Sequence, residues 1–95
     1  MNIPQSLTIN GITWRIWEVE PGELEAEHIC GDSNPEIQLI RINKNLSQEM
    51  KEVTMLHELL HCLNNEMDHE VVEMLSQTLW QVLSQLYENQ ETPHF

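Results

Sequence analysis

Residues 54–63 read Thr54-Met55-Leu56-His57-Glu58-Leu59-Leu60-His61-Cys62-Leu63, and the fold turns on how this stretch is read. Val53, Leu56, Leu60 and Leu63 fall at helical spacing, while Met55, Leu59 and Cys62 carry apolar surface around much of the circumference. A helix that apolar is expected to be central and well covered. Ser47 is a good N-cap, and Glu49 sits in the first turn, where a negative charge meets the helix dipole. Asn64-Asn65 tolerates the left-handed geometry of a helix end, so the helix is expected over residues 48–63. Within it, His57, Glu58 and His61 are polar groups at the centre of a buried element, which is costly unless they are paired or bound to a metal.

The trio has the pattern HExxH. Residues four apart lie on one face of a helix, so the imidazoles of His57 and His61 can converge on one ion. Zinc takes neutral imidazole nitrogen at about 2.0–2.1 Å. Glu58 points around the helix, beside the metal rather than at it, where a carboxylate can take a proton from zinc-bound water whose pKa falls to about 7. The bland alternative is an amphipathic helix decorated with two histidines and a glutamate. The apolar surroundings favour metal.

A second helix is expected over residues 69–88, capped by Asp68 and carrying a core stripe of Val72, Leu75, Leu79, Val82, Leu83 and Leu86. It returns beside the first and brings the third ligand that a catalytic zinc needs. Glu70 and Glu73, with Glu66 and Asp68 in the loop and His69 at the helix start, are the candidates; amphipathicity alone does not choose among them. A surface role is the simpler reading of His69. The tail, residues 89–95, is polar, contains Pro93 and is expected to fray.

Working back toward the N-terminus, Ser6–Ile9, Asn10-Gly11 and Ile12–Val19 give a strong hairpin signal, because Asn-Gly supplies both positive-φ residues of a type I′ turn. Ile12, Trp14 and Ile16 alternate with Thr13, Arg15 and Trp17, which predicts one covered face and a partly exposed aromatic on the other. Pro21-Gly22 breaks the strand. Residues 25–30 are a candidate third strand, residues 31–35 a turn, and residues 36–42 (EIQLIRI) a convincing strand with β-branched bulk. The spacing is that of a meander. The expected architecture is α+β: a small antiparallel β-meander of three or four strands over residues 6–43, followed by the HExxH helix and a C-terminal helix, all in one minimal domain spanning residues 1–95.

The segment 54–83 resembles the glutamate-zincins, or gluzincins, in which HExxH is followed by a helix bearing a ligand Glu, a small residue three positions on and a polar residue after it. Glu73-Met74-Leu75-Ser76-Gln77 matches, so the resemblance implies Glu73 as third zinc ligand, with His57 and His61, and Glu58 as catalytic base. Gln77 stands where the family's usual Asp orients a zinc-binding His; its carbonyl can accept that bond but brings no charge. In scale and element order the chain is similar to the minigluzincins and to small phage and bacterial HExxH proteins. The resemblance implies one zinc ion, peptide hydrolysis, and a substrate bound as an added strand along residues 36–42. It also implies that the C-terminal segment with His94 acts as a latency device in the cleft. Trp80 is a candidate pocket wall, although core packing is the default; His28 reads as structural, and Tyr87 as a weak candidate for a transition-state donor.

Composition narrows the classes. Asp and Glu outnumber Lys and Arg 16 to 4, for a formal charge of −12, which argues against binding nucleic acid. Such a surface concentrates divalent cations, though solubility is the plain reading of most of these carboxylates. Cys30 and Cys62, without a secretory leader, read as reduced thiols of a cytoplasmic protein, and no apolar run approaches the roughly 20 residues of a membrane span. The rivals to an enzyme are a zinc-stabilised binding or regulatory module with a shallow or blocked pocket, and an acidic decoy for a nucleic-acid-binding partner.

Overall fold

A computed structural model describes residues 2–24 and 30–91. Strand β1 (Ser6–Ile9) turns into β2 (Ile12–Val19) through Asn10 and Gly11, whose φ values of 53° and 79° are those the Asn-Gly pair was expected to supply. Thr8 and Thr13 face each other across this hairpin and share a hydrogen bond of 2.9 Å. A 3-10 turn at Pro21–Glu23 ends the run, and β3 (Gly31–Asn34) and β4 (Leu39–Asn43) complete a four-stranded sheet of order β1-β2-β4-β3. Helices α1 (Gln48–Leu63) and α2 (His69–Glu91) follow, giving the α+β class expected. The predicted strand over 25–30 lies, apart from Cys30, outside the described residues.

The purely antiparallel meander does not form. β4 lies parallel to β2, with Ile16 beside Ile40 and Glu18 beside Ile42, and antiparallel to β3 on its other side. Burial explains the order. Leu39, Ile40 and Ile42 are all buried, the last two completely, so β4 takes the middle of the sheet where both neighbours shield it. β3, with the sequence GDSN, has no such side chains and takes the edge. The same polarity is why the sequence predicts a turn there. What makes it a strand is Asp32, opposite Arg41 in register, accepting a hydrogen bond of 2.8 Å from the Arg41 Nε. The turn shifts to residues 35–38, where Gln38 has a φ of 54°, so the strand expected over 36–42 begins only at Leu39. Since β4 is paired on both sides, residues 36–42 do not offer the edge for a substrate strand; the edge on that side belongs to β3.

Trp14 and Ile16 on β2 and Ile40 and Ile42 on β4 face Met55 and Leu59 of α1, with Cys62 packed beside them. The other face of β2 exposes Trp17, whose ring lies under the Arg15 guanidinium. Ser47 caps α1 by accepting from Met50 N at 3.2 Å, as the sequence implied. β3 reaches this helix only because residue 31 is Gly: a Cβ there would stand 2.5 Å from the Arg41 carbonyl oxygen and 2.8 Å from Thr54 Cγ2.

α2 packs on α1 through Val72 and Ser76, both fully buried. Further along, Trp80 donates from Nε1 to Glu52 at 2.8 Å, and Gln48 donates to the same buried carboxylate at 2.9 Å. The predicted core stripe of α2 is thus only partly a core. Leu79, Val82, Leu83 and Leu86 are exposed, because α1 starts at Gln48 and the far half of the 23-residue α2 has outrun its partner.

Two stability measurements follow. Ile40→Ala, at a position with no exposure, is expected to cost about 2–5 kcal/mol, whereas Leu86→Ala, at 54% exposure, should stay within about 0.5 kcal/mol in urea unfolding. Equal losses would return Leu86 to the core. Trp80→Phe keeps the ring but removes a donor to a buried carboxylate, and is expected to cost about 1–3 kcal/mol in the same assay.

Candidate metal centre

α1 is wedged between the sheet and α2, and its histidines lie on the α2 side. His57 and His61, one turn apart as the sequence required, place their Nε2 atoms 3.1 Å from each other. Two nitrogens sharing a tetrahedral zinc at about 2.0–2.1 Å stand about 3.3 Å apart, so the pair is already set at close to ligand spacing. Both rings are half-buried. Burial, followed by the neighbouring His61 and His69, holds His57 below the usual imidazole pKa, with Glu73 pulling the other way. The neutral ring is thereby favoured, and neutral imidazole is the form a metal needs.

The residue that sequence reasoning set aside is His69. As the first residue of α2 it swings its ring 5.0 Å from His57 and 5.6 Å from His61, and one nitrogen of each of the three rings lies within 4.8 Å of the others. Glu73 is one turn further on, with its Oε2 3.9 Å from His69 Nε2. Its charge reaches His57 as well. The turn at residues 64–68, held by Glu66 N donating to Asn64 Oδ1 and Met67 N to Asn64 O, is what folds this end of α2 back over α1. None of the carboxylates weighed as ligands, Glu66, Asp68, Glu70 and the expected Glu73, belongs to the three-imidazole group; Glu73 stands beside it, against His69. The helical wheel had no way to rank His69, since its value as a donor comes from the loop's path and not from its own helix.

Glu58 lines the cavity beside His57 and His69 and is hydrogen-bonded by Ser33 of β3. Burial raises its carboxyl above the ordinary range, and the Ser33 bond and the charges of His61 and His69 oppose that shift while Asp32 adds to it. Ser33 also bonds Cys62, one turn along α1, whose thiol is pushed up chiefly by burial. Both cysteines, Cys30 and Cys62, are free. Ser33 carries no sequence signal, because its polar, turn-like neighbours hide the strand that faces the helix.

A cavity of about 630 Å³ opens along the α1–α2 seam and reaches the end of β3 at Cys30 and Gly31. His57, Glu58, His69 and Glu73 line one end, and Met50, Val53 and Trp80 give the other an apolar floor. Trp80 therefore serves as both pocket wall and helix clamp. Gln77, expected in place of an orienting Asp, lines the same cavity, and the small residue expected three positions after Glu73 is Ser76, buried where the helices meet. Tyr87 is exposed and does not line the cavity. His28 and His94 lie outside the described residues.

No helix among the described residues is long and apolar enough to cross a membrane. Neither a curated protein nor a solved structure matches the chain. Its residues 19–82, more than half of its length, match the family model of Peptidase M78, described as the IrrE N-terminal-like domain. That span runs from the end of β2 through the imidazole cluster to the Trp80 clamp. The chain belongs to this family of HExxH zinc metallopeptidase-like proteins.

Proposed function

We propose that the chain is a zinc-dependent peptidase in which His57, His61 and Glu73 hold the ion and Glu58 is the general base. The observation that carries this reading is the 3.1 Å approach of the two HExxH imidazoles, of which His57 lines an open cavity, inside the span that matches a peptidase family. The donors suit zinc: two half-buried imidazoles, one of them biased toward its neutral form, with a carboxylate on the facing helix. A zinc ion there supplies a Lewis acid that polarises a carbonyl oxygen and brings the pKa of water to about 7.

The chain's own groups do the rest. Glu58 accepts the proton of the attacking water and returns it to the leaving amine; its raised pKa brings it closer to the value at which a group both takes and gives a proton near neutrality. The Ser33 hydroxyl fixes the direction of that carboxylate. An extended peptide adds to the free edge of β3, replacing residues 36–42 in that role, and lays a side chain over Met50, Val53 and Trp80. Two unpaired cysteines suit a reducing, cytoplasmic setting.

Glu58→Gln is expected to lower hydrolysis of a peptide library by about 10²–10⁴-fold while one equivalent of zinc stays bound. Zinc loss in that variant, or retained turnover, contradicts the role. The pH behaviour is testable without metal. In chelator-treated protein, His57 should titrate below 6.5 and Glu58 above 4.5, read by NMR of the ring and carboxyl carbons. For His57 the depressed value means stability present above 6.5 and lost as pH falls through the folded pKa. For Glu58 the raised value means stability present below 4.5 and lost as pH rises through its folded pKa, so the two contributions change with pH in opposite senses.

A further inference from the structure

Three imidazoles face one another at this centre, and the Glu73 carboxylate stands beside the outermost of them. We propose that His69 is a fourth zinc ligand beside His57, His61 and Glu73, so that the resting protein holds its ion in a closed shell and is latent until His69 swings out. The inference rests on the zinc-site reading given above and adds the state in which that site is kept.

Its basis is a triangle of rings. The centroids of His57, His61 and His69 are 4.7, 5.0 and 5.6 Å apart, and each ring offers a nitrogen within 4.8 Å of the other two. Glu73 lies at i+4 from His69 on the same face of α2, and its carboxylate is directed toward His69, 3.9 Å away, rather than into solvent alone. A tetrahedral ion has four positions. Sites that perform hydrolysis fill three with protein and leave the last open, whereas sites that only hold structure together fill all four. With both α2 donors engaged, no position is left for a substrate carbonyl or for the attacking water.

The fourth donor is built to leave. His69 has a side-chain exposure of 68%, while His57 and His61 are half-buried. It is the first residue of α2, and the helix behind it is already closed by Val72 N donating to Asp68 O at 3.0 Å. A rotamer change at His69 therefore breaks no core contact, and Glu73, one turn deeper along the helix, keeps its place. Both donors on α2 are exposed, His69 at 68% and Glu73 at 58%, but His69 alone stands at the start of the helix.

Zinc affinity and cobalt spectroscopy test this on the full chain. His69→Ala should bind zinc at least about tenfold more weakly than the wild type, since even the loss of a group that only supports a ligand costs about 10–100-fold. His69→Phe, which keeps an aromatic ring but no donor nitrogen, should match it and so separates ligation from packing. With Co²⁺ in place of zinc, added azide should leave the visible spectrum of the wild type unchanged and shift that of both variants, because only they have an open position. Equal zinc affinity in the wild type and both variants, or a wild-type cobalt spectrum that already responds to azide, overturns the closed shell. In either of those cases, loss of zinc in His57→Ala and His61→Ala leaves the underlying site intact. A wild type that takes up no zinc overturns both.

Discussion

Everything in this molecule hangs on α1 being covered on two sides while carrying charged and titratable groups. Met55, Leu59 and Cys62 meet the sheet, and His57 and His61 meet α2. A helix sandwiched in this way would ordinarily be apolar throughout, since each buried polar group without a partner costs about 1–3 kcal/mol. The carboxylates and imidazoles covered here are each answered by a neighbouring group, on α1 itself or across from it. Glu52 receives Trp80 and Gln48, Glu58 receives Ser33, and the imidazoles face one another. The fold and the site are consequently one arrangement: the contacts that satisfy α1 are those that place β3 and α2 around the cavity.

Where the sequence could be read and where it could not follows from how far apart the cooperating residues lie. The Asn10-Gly11 turn, the Ser47 cap and the extent of α1 depend on neighbours within one or two turns, and each stands as expected. The parallel pairing of β2 with β4 joins residues 24 positions apart, such as Arg15 and Leu39, and no local pattern encodes it. β3 carries no local strand signal because its strand character comes from Arg41 on the facing strand and from the missing side chain of Gly31, not from β-forming residues. The α2 stripe shows the complementary limit. Periodicity located its apolar residues correctly, but what covers Val82 and Leu86 depends on where α1 begins.

The candidate site divides in the same way. His57, Glu58 and His61 were legible because helical geometry by itself sets their relation. Glu73 came from resemblance, and it lies next to His69 without joining the group of three imidazoles. His69 was legible only as a residue of the right type. Its ring reaches the cluster because Asn64 folds the connecting turn tightly enough to set the first residue of α2 over α1, a property of five loop residues rather than of the histidine.

Charge is distributed to the same end. Each of the four basic residues is engaged away from the cavity: Arg15 on Trp17, Arg41 with Asp32, Lys44 with Glu20 and Lys51 with Glu18. They sit on the sheet, in the turn after β4 and in the first turn of α1, where they join elements. The described residues lining the cavity include Glu49, Glu58 and Glu73 and no Lys or Arg. With a formal charge of −12, nothing on that wall offsets the acidic field, and a concave surface of one sign with low-dielectric walls concentrates it. A divalent cation is drawn to such a place before any ligand touches it, and an acidic side chain is turned away. The few cations were spent on holding strands and helix together, and the carboxylates left over set the potential under which the imidazoles work.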